Sequence, residues 1–288
     1  MINFLKYRWL YFLISALIIG SGLFSISRWG FNFSIDFVGG TNLEYDLSKP
    51  VEVKEVRKIL AEKKTEANRI EIKDKTLSLR LKPINDKTEN ENRKEIENRL
   101  KVKVNLLRFE TLGPLIGKEM IRKTIIASIL AIVGILLYMT FAFKNFNFAV
   151  SAIIALIHDF LVVIGTYSLF SHFFAAEVDL LFVTALLTTM SFSVHDTIVI
   201  FDKIREYDRE QKMDVESFAN QALTETLVRS VNNSITILFM LLALILLGGS
   251  TIKFFIAALL VGTITGTYSS PFVATPVLVW LEKRKSRM

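Results

Sequence analysis

Apolar residues in this chain gather into long blocks nearly free of charge, while the charged residues crowd between about residues 44 and 120. The first block, Trp9–Ser27, contains no acid or base and is close to the roughly 20 residues that cross a bilayer as a helix. Lys6 and Arg8 precede it, so a signal peptide is the competing reading. The apolar run is too long for a typical signal core, and Ser25-Ile26-Ser27-Arg28-Trp29 makes a poor cleavage site, so an uncleaved first helix is expected. Five further blocks follow, at about 121–143, 148–170, 180–201, 231–249 and 254–281. Their apolar runs are continuous rather than alternating, which predicts helices and argues against barrel strands.

The short loops predict orientation. Lys6 and Arg8, Lys144, then Lys203, Arg205, Arg209 and Lys212, and finally Lys283, Arg284, Lys285 and Arg287 all fall on one side of six alternating helices. Loops 171–179 and 250–253, on the other side, are poor in Lys and Arg. The positive-inside rule then puts both termini in the cytoplasm and the polar stretch outside. The expected organisation is an N-terminus and first helix over 1–28, an extracytoplasmic domain over 29–120, and a five-helix region over 121–288. That last region carries a cytoplasmic loop at 202–230 and a basic tail.

Within the polar stretch the pattern changes period. Thr41–Leu47 reads as a strand, and Val51–Lys64 as a helix carrying Val53, Val56, Ile59 and Leu60 on one face. Arg69–Lys73 and Thr76–Lys82 alternate as Ile70, Ile72 and Leu77, Leu79, Leu81, with Asp74-Lys75 short enough to close a hairpin. Glu89–Lys101 reads as a second helix and Val102–Thr111 as a last strand. The fold class expected is therefore an α-helical membrane protein of six transmembrane helices. A small α+β ferredoxin-like domain of order βαββαβ sits between the first two. After the fourth block, Val215, Phe218, Ala219, Ala222, Leu223 and Leu227 recur at helical spacing behind Asp214, a candidate N-cap. They predict an amphipathic helix at the membrane surface, leading into the fifth span.

Composition removes several functions. The 288 residues include no cysteine, which excludes disulfides, thiolate metal sites and cysteine nucleophiles. The formal charge of +7 is spread among interleaved acids and bases, so nucleic-acid binding is not expected. No GxSG, P-loop, HExxH or GxGD pattern occurs, and the two His-Asp dipeptides lie in apolar blocks of a chain with three histidines. Neither an enzyme nor a metal site is expected.

Three groups inside or beside the spans remain. His158-Asp159 falls mid-way along the third, His195-Asp196 in the cytoplasmic half of the fourth, and Arg229 just before the fifth. A carboxylate at the centre of a membrane helix costs about 2.5–3.5 kcal/mol on insertion scales, so it faces other helices and either titrates or pairs. One reading is a relay in which Asp196 alternates between a neutral, protonated form and an ion pair with Arg229. Asp159 is the weaker candidate for the same work, and His158 and His195 suit packing or orientation better. The other reading is that these groups simply hydrogen-bond helices together. Gly262 and Gly266 predict close packing of the last helix. Pro271 and Pro276 should kink it, with Thr265, Thr267, Ser269, Ser270 and Thr275 satisfying the freed carbonyls.

Certain runs resemble a known family. Phe33-Ser34-Ile35-Asp36-Phe37-Val38-Gly39-Gly40-Thr41 is similar to the GIDFxGG signature of the SecD and SecF protein-export proteins, with Ser34 in place of the usual glycine. Leu112-Gly113-Pro114-Leu115-Ile116-Gly117-Lys118-Glu119 resembles the VGPxxGxEL run of SecF, and Ala155-Leu156-Ile157-His158-Asp159 its AxxHD. Ser193–Glu206 resembles SINDTIVVFDRIRE, with His195 replacing asparagine. Thr226-Leu227-Val228-Arg229-Ser230 and Asn233-Ser234-Ile235-Thr236 resemble TLxRTxxTSxTT. The resemblance implies a subunit that pairs with SecD, works with the SecYEG channel and with YajC and YidC, and contacts exported unfolded polypeptide. It implies no cofactor, a coupling ion that is H+ (Na+ in some relatives), and ion-coupling roles at Asp196 and Arg229. The location implied is the inner cell membrane, surrounded by lipid. Two other expectations stand beside this motor: a non-conducting scaffold subunit, and a small-molecule exporter half of the related resistance–nodulation–division superfamily. Co-purification of SecD separates the exporter from the other two.

Overall fold

No charge interrupts the chain between Trp9 and Ser27, and there the computed structural model has an unbroken helix, α1 (Arg8–Arg28). The structure describes residues 3–63, 65–143, 145–210 and 214–285. Of the basic residues that predict orientation, Lys144, Lys212 and Arg287 lie outside them. Six helices among the described residues are long and apolar enough to cross a membrane. By its internal contacts the chain divides into two units, residues 33–125, and residues 1–32 with 126–288.

In the first unit, β1 (Gly40–Leu47) is followed by α2 (Val53–Glu62), β2 (Ala67–Lys73), β3 (Thr76–Leu81), α3 (Asp86–Leu100) and β4 (Val104–Leu112). The four strands form one antiparallel sheet in the order β2-β3-β1-β4. Period-two alternation sends Leu43, Tyr45, Leu47, Leu77, Leu79 and Leu81 to one buried face, where Val56, Ile59, Leu60 and Ile96 of the two helices meet them. The β2–β3 hairpin turns on Asp74-Lys75, and Asp74 takes the left-handed conformation (φ 56°) that glycine usually supplies. Asn85 caps α3 by accepting the Thr88 N–H at 2.9 Å. Gly39 and Gly40, with φ of 73° and 132°, carry the chain from the short turn Ile35–Val38 into β1. Asp36 and Phe37 lie on that turn, which Ser34 caps by accepting the Asp36 N–H at 3.2 Å.

The second unit holds α1, the distal part of α4 (Pro114–Phe143), α5 (Phe146–Phe174), α6 (Leu180–Glu210), α7 (Val215–Leu247), α8 (Lys253–Ser269) and α9 (Thr275–Lys285). A single π turn, Ser270–Ala274, joins α8 to α9 at Pro271, and the Thr275 hydroxyl bonds the Ser270 carbonyl at 3.0 Å. The two prolines therefore produce a π turn within a continuing helix. α4 begins at Pro114 rather than near 121, because proline suits a first helical turn. The segment after Asp214 is continuous with the fifth span. Its Phe218, Ala219, Ala222 and Leu223 join the core, and the Asp214 side chain makes no cap bond.

Small residues mediate the helix contacts here. The buried residues of α1 are Ser15, Gly22 and Ser25, while Trp9, Leu17 and Phe24 point outward. Without water between them, helices gain little from burying leucine against leucine and most from close backbone approach. Gly22 of α1 meets Gly165 of α5 so closely that a Cβ on either would stand 2.7 Å from the other's Cα. Ser25 and Ser168 hydroxyls bond nearby at 2.8 Å.

Two measurements follow from these contacts. Gly165→Leu should lower the thermal midpoint of the purified full chain in detergent, an overpacking cost of at least about 1–3 kcal/mol. Gly134→Ala, where nothing lies within 4 Å of the added carbon, should not. In the sheet unit, the buried Tyr45 hydroxyl donates to Glu89 at 3.1 Å, and burial beside that carboxylate pushes the phenol above its ordinary range. A raised folded-state value means that the contribution is complete below the ordinary phenol pKa of about 10 and is lost as pH rises above it. Unfolding curves should show an alkaline loss of stability that Tyr45→Phe removes, at a cost of about 1–3 kcal/mol at neutral pH.

Candidate functional site

Two carboxylates enter the helical unit, and their surroundings differ. Asp159 of α5 is 3% exposed. Its Oδ1 lies 2.9 Å from Nδ1 of His158, and its Oδ2 accepts the Ser269 hydroxyl of α8 at 2.6 Å and that of Ser193 of α6. His158 Nε2 lies 2.9 Å from the Ser15 hydroxyl of α1. With Nδ1–H donating to Asp159, the neutral ring accepts from Ser15. Four helices thus converge on one His-Asp pair, and every carboxylate oxygen has a donor. This matches the expectation that a membrane-buried carboxylate is paired and inward-facing.

Asp196 lies three residues beyond Ser193 on α6 and is half-buried. No hydrogen bond or ion pair reaches its carboxylate among the described residues. It lines a cavity of about 10 Å³ with Phe192, His195, Asn233, Ser234, Thr263 and Thr267, room for about one water molecule. The cavity is polar on the α7 and α8 sides, where Ser234 and Thr267 hydroxyls lie 2.6 Å apart. His195 is exposed beside it. Asp196 is thus partly buried among polar neighbours, without a fixed donor among the described residues.

The structure brings His158 with Asp159, and His195 with Asp196, but does not bring Arg229 to Asp196. Arg229 sits one turn before Asn233 on α7, is exposed, and forms no ion pair among the described residues. The ion pair imagined for the relay is therefore absent from this conformation. Ser15, Ser193 and Ser269 are the functional partners that reading the sequence missed. Ser193 lies on the same side of α6 as Asp196 by helical spacing, and that spacing was the available signal. Asp36, Phe37, Gly39 and Gly40 belong to the other unit. Gly117 packs there so that a Cβ would fall 2.8 Å from the Phe37 carbonyl oxygen.

Comparison with known proteins identifies the family. A family model described as protein export membrane protein SecD/SecF, C-terminal, matches residues 92–284, and one described as SecD/SecF GG motif matches residues 28–51. The protein translocase subunit SecF of Thermobaculum terrenum is 40% identical, over 99% of this chain and 95% of that protein. The fused protein translocase subunit SecDF of Thermus thermophilus is 36% identical over 90% of this chain and 36% of its own length. The crystal structure of SecDF from that organism, described as a translocon-associated membrane protein, superposes with a TM-score of 0.86 at 33% identity, and this chain spans 39% of it. With its six apolar helices, the chain is a multi-pass membrane protein and belongs to the SecF branch of the SecD/SecF protein-export family.

Proposed function

We propose that this chain is the SecF subunit of a non-enzymatic, ion-driven complex that assists protein export through the Sec translocon. The observation that carries the reading is Asp196, a carboxylate without a fixed partner among the described residues, facing a water-sized cavity edged by hydroxyls where α6, α7 and α8 meet. Protonation would make it neutral and ionisation would charge it. Either change alters which packing of the three helices is favoured, a population shift driven by the transmembrane ion gradient. The coupling ion in this reading is H+, with Na+ as the alternative.

SecD is the partner supported by the relatives, since one of them carries both names in a single chain. Arg229 supports it too: a guanidinium exposed on a membrane helix is expensive against lipid and is accommodated against a protein or water-lined face. The outer surfaces of α4 and α7, with Ile129, Leu130, Leu137, Phe239 and Leu246 exposed, are left to a partner bundle and lipid. SecYEG, YajC, YidC and the exported polypeptide complete the proposed set. Described basic residues Lys6, Arg8, Lys203, Arg205, Lys283, Arg284 and Lys285 support termini on the cytoplasmic side of the inner membrane. The residue 33–125 unit, with βαββαβ order and strand order β2-β3-β1-β4, supports a ferredoxin-like domain on the outer side.

The scaffold alternative draws on one observation, the missing Asp196–Arg229 ion pair. Vesicles carrying this chain with its SecD decide between the readings. Asp196→Asn keeps the shape and removes the charge, and at matched protein levels gradient-dependent completion of export should fall to the level seen without a gradient. An unchanged response to the gradient would favour the scaffold and remove the coupling role.

A further inference from the structure

Asp159 is buried, fully hydrogen-bonded and absent from the cavity that Asp196 lines. Its contacts, however, run to the helix that carries Asp196. Ser193, Asp196 and Thr197 are three and four residues apart, so they share one side of α6. Ser193 is anchored to Asp159 Oδ2, and Thr197 lies 2.8 Å from the Ser270 hydroxyl. Both are almost wholly buried, at 2% and 1% exposure. Ser269, the neighbour of Ser270, also donates to Asp159 Oδ2. The same oxygen therefore ties α6 and α8 together immediately beside Asp196. Close approach makes this possible: a Cβ on Gly266 would stand 3.1 Å from the Ser193 Cα.

We propose that Asp159 is a positioning residue for Asp196, holding α6 through Ser193, and α8 through Ser269, in the rotation that presents the Asp196 carboxyl to its cavity. Asp159 acts through the two serine hydroxyls it accepts and takes no part in the proton transfer itself. One residue of slip on α6 would turn Asp196 by about 100° away from the hydroxyls of α7 and α8. The inference rests on the coupling reading of Asp196 and assigns to Asp159 a different task from the relay.

The geometry supplies a discriminating pair of substitutions. Because Oδ2 alone accepts both serine hydroxyls, Asp159→Asn places an amide oxygen at the same point and keeps both anchors. Its amide nitrogen then faces His158 Nδ1, which accepts in the other tautomer. Asparagine carries no charge and no titratable proton. Asp159→Leu keeps the branching at Cγ in a bulkier side chain and loses the acceptor, and a double serine variant controls for the added bulk. The double variant Ser193→Ala/Ser269→Ala removes the two donors and leaves the carboxylate in place, with His158 still bonded to Oδ1.

Carbodiimide reacts with protonated carboxyls, so labelling at residue 196, read by peptide mass spectrometry across the neutral pH range in the purified full chain, reports how that group is presented. The titratable groups facing this region are His195 on α6, His158 and Asp159 on α5 and Tyr268 on α8, with Arg229 exposed one turn before the cavity residue Asn233 on α7, and all but Asp159 are kept in every variant. Asp159→Asn should match the wild-type midpoint to within about half a pH unit. Asp159→Leu and the double serine variant should each move it by about one unit or more, a tenfold change in protonation, or abolish the labelling. Equal shifts in Asn and Leu would overturn the proposal in favour of a charge or proton on Asp159. Wild-type profiles in all three would overturn it in favour of simple packing. If the leucine variant does not fold, the double serine variant decides. Labelling needs no export, so a failure of the coupling reading, seen as normal gradient stimulation in Asp196→Asn vesicles, is distinguishable from a failure here.

Discussion

Gly262 and Gly266 let α8 lie against α6 at Thr189 and Ser193, and the polar interior of the helical unit follows from that approach. A Cβ at either glycine would meet those side chains or their backbone and push the helices apart. At the wider spacing Ser269 and Ser193 would no longer reach one Asp159 oxygen, and a carboxylate already taken out of water would lose its donors. Leaving a buried polar group without its partners costs about 1–3 kcal/mol, more for a charged one. Small residues in α1 do the same work on the other side. Gly22 admits Gly165, and so brings Ser15 within reach of His158.

The two carboxylates thus end in opposite situations. Asp159 has its oxygens filled by three donors from three helices, a condition that favours one helix arrangement. Asp196 has polar neighbours but no fixed bond among the described residues. The difference comes from what each helix presents at that level: serines at Asp159, and a gap of about 10 Å³ at Asp196.

Much of this was legible along the chain. The six helices follow from continuous apolar runs, because hydrocarbon tolerates no unpaired backbone over that length. The alternation of Leu77, Leu79 and Leu81 and the Asp74-Lys75 hairpin were readable because period two and turn chemistry are local. Helix limits were less so. Hydropathy registers where lipid begins, whereas backbone bonding starts α4 at Pro114 and runs α7 unbroken from Val215. Asp159 and Asp196 stood out by their cost in a membrane, but their partners did not. Serines are common in membrane helices, and which of them meet a carboxylate depends on helix rotation and approach, both tertiary. The exposure of Arg229 was hidden for the same reason.

The hydroxyls around Asp196 differ from those at Asp159 in a further way that bears on movement. Thr197 bonds Ser270 across helices at 2.8 Å and also the Ser193 carbonyl of its own helix at 3.0 Å. Thr267 meets Ser234 at 2.6 Å and its own Thr263 carbonyl at 2.8 Å, and Ser270 has the Gly266 carbonyl at 3.2 Å. Thr197, Thr267 and Ser270 can each give up a neighbour on another helix and keep a partner one turn back, while Ser234 would lose its bond to Thr267. The bonds to Asp159 have no such substitute on the carboxylate's side: separation would leave a buried charge short of donors. Helices that shift when Asp196 changes charge would therefore pivot about Asp159 and slip along the threonine and serine contacts, because that path leaves the fewest buried groups unpaired.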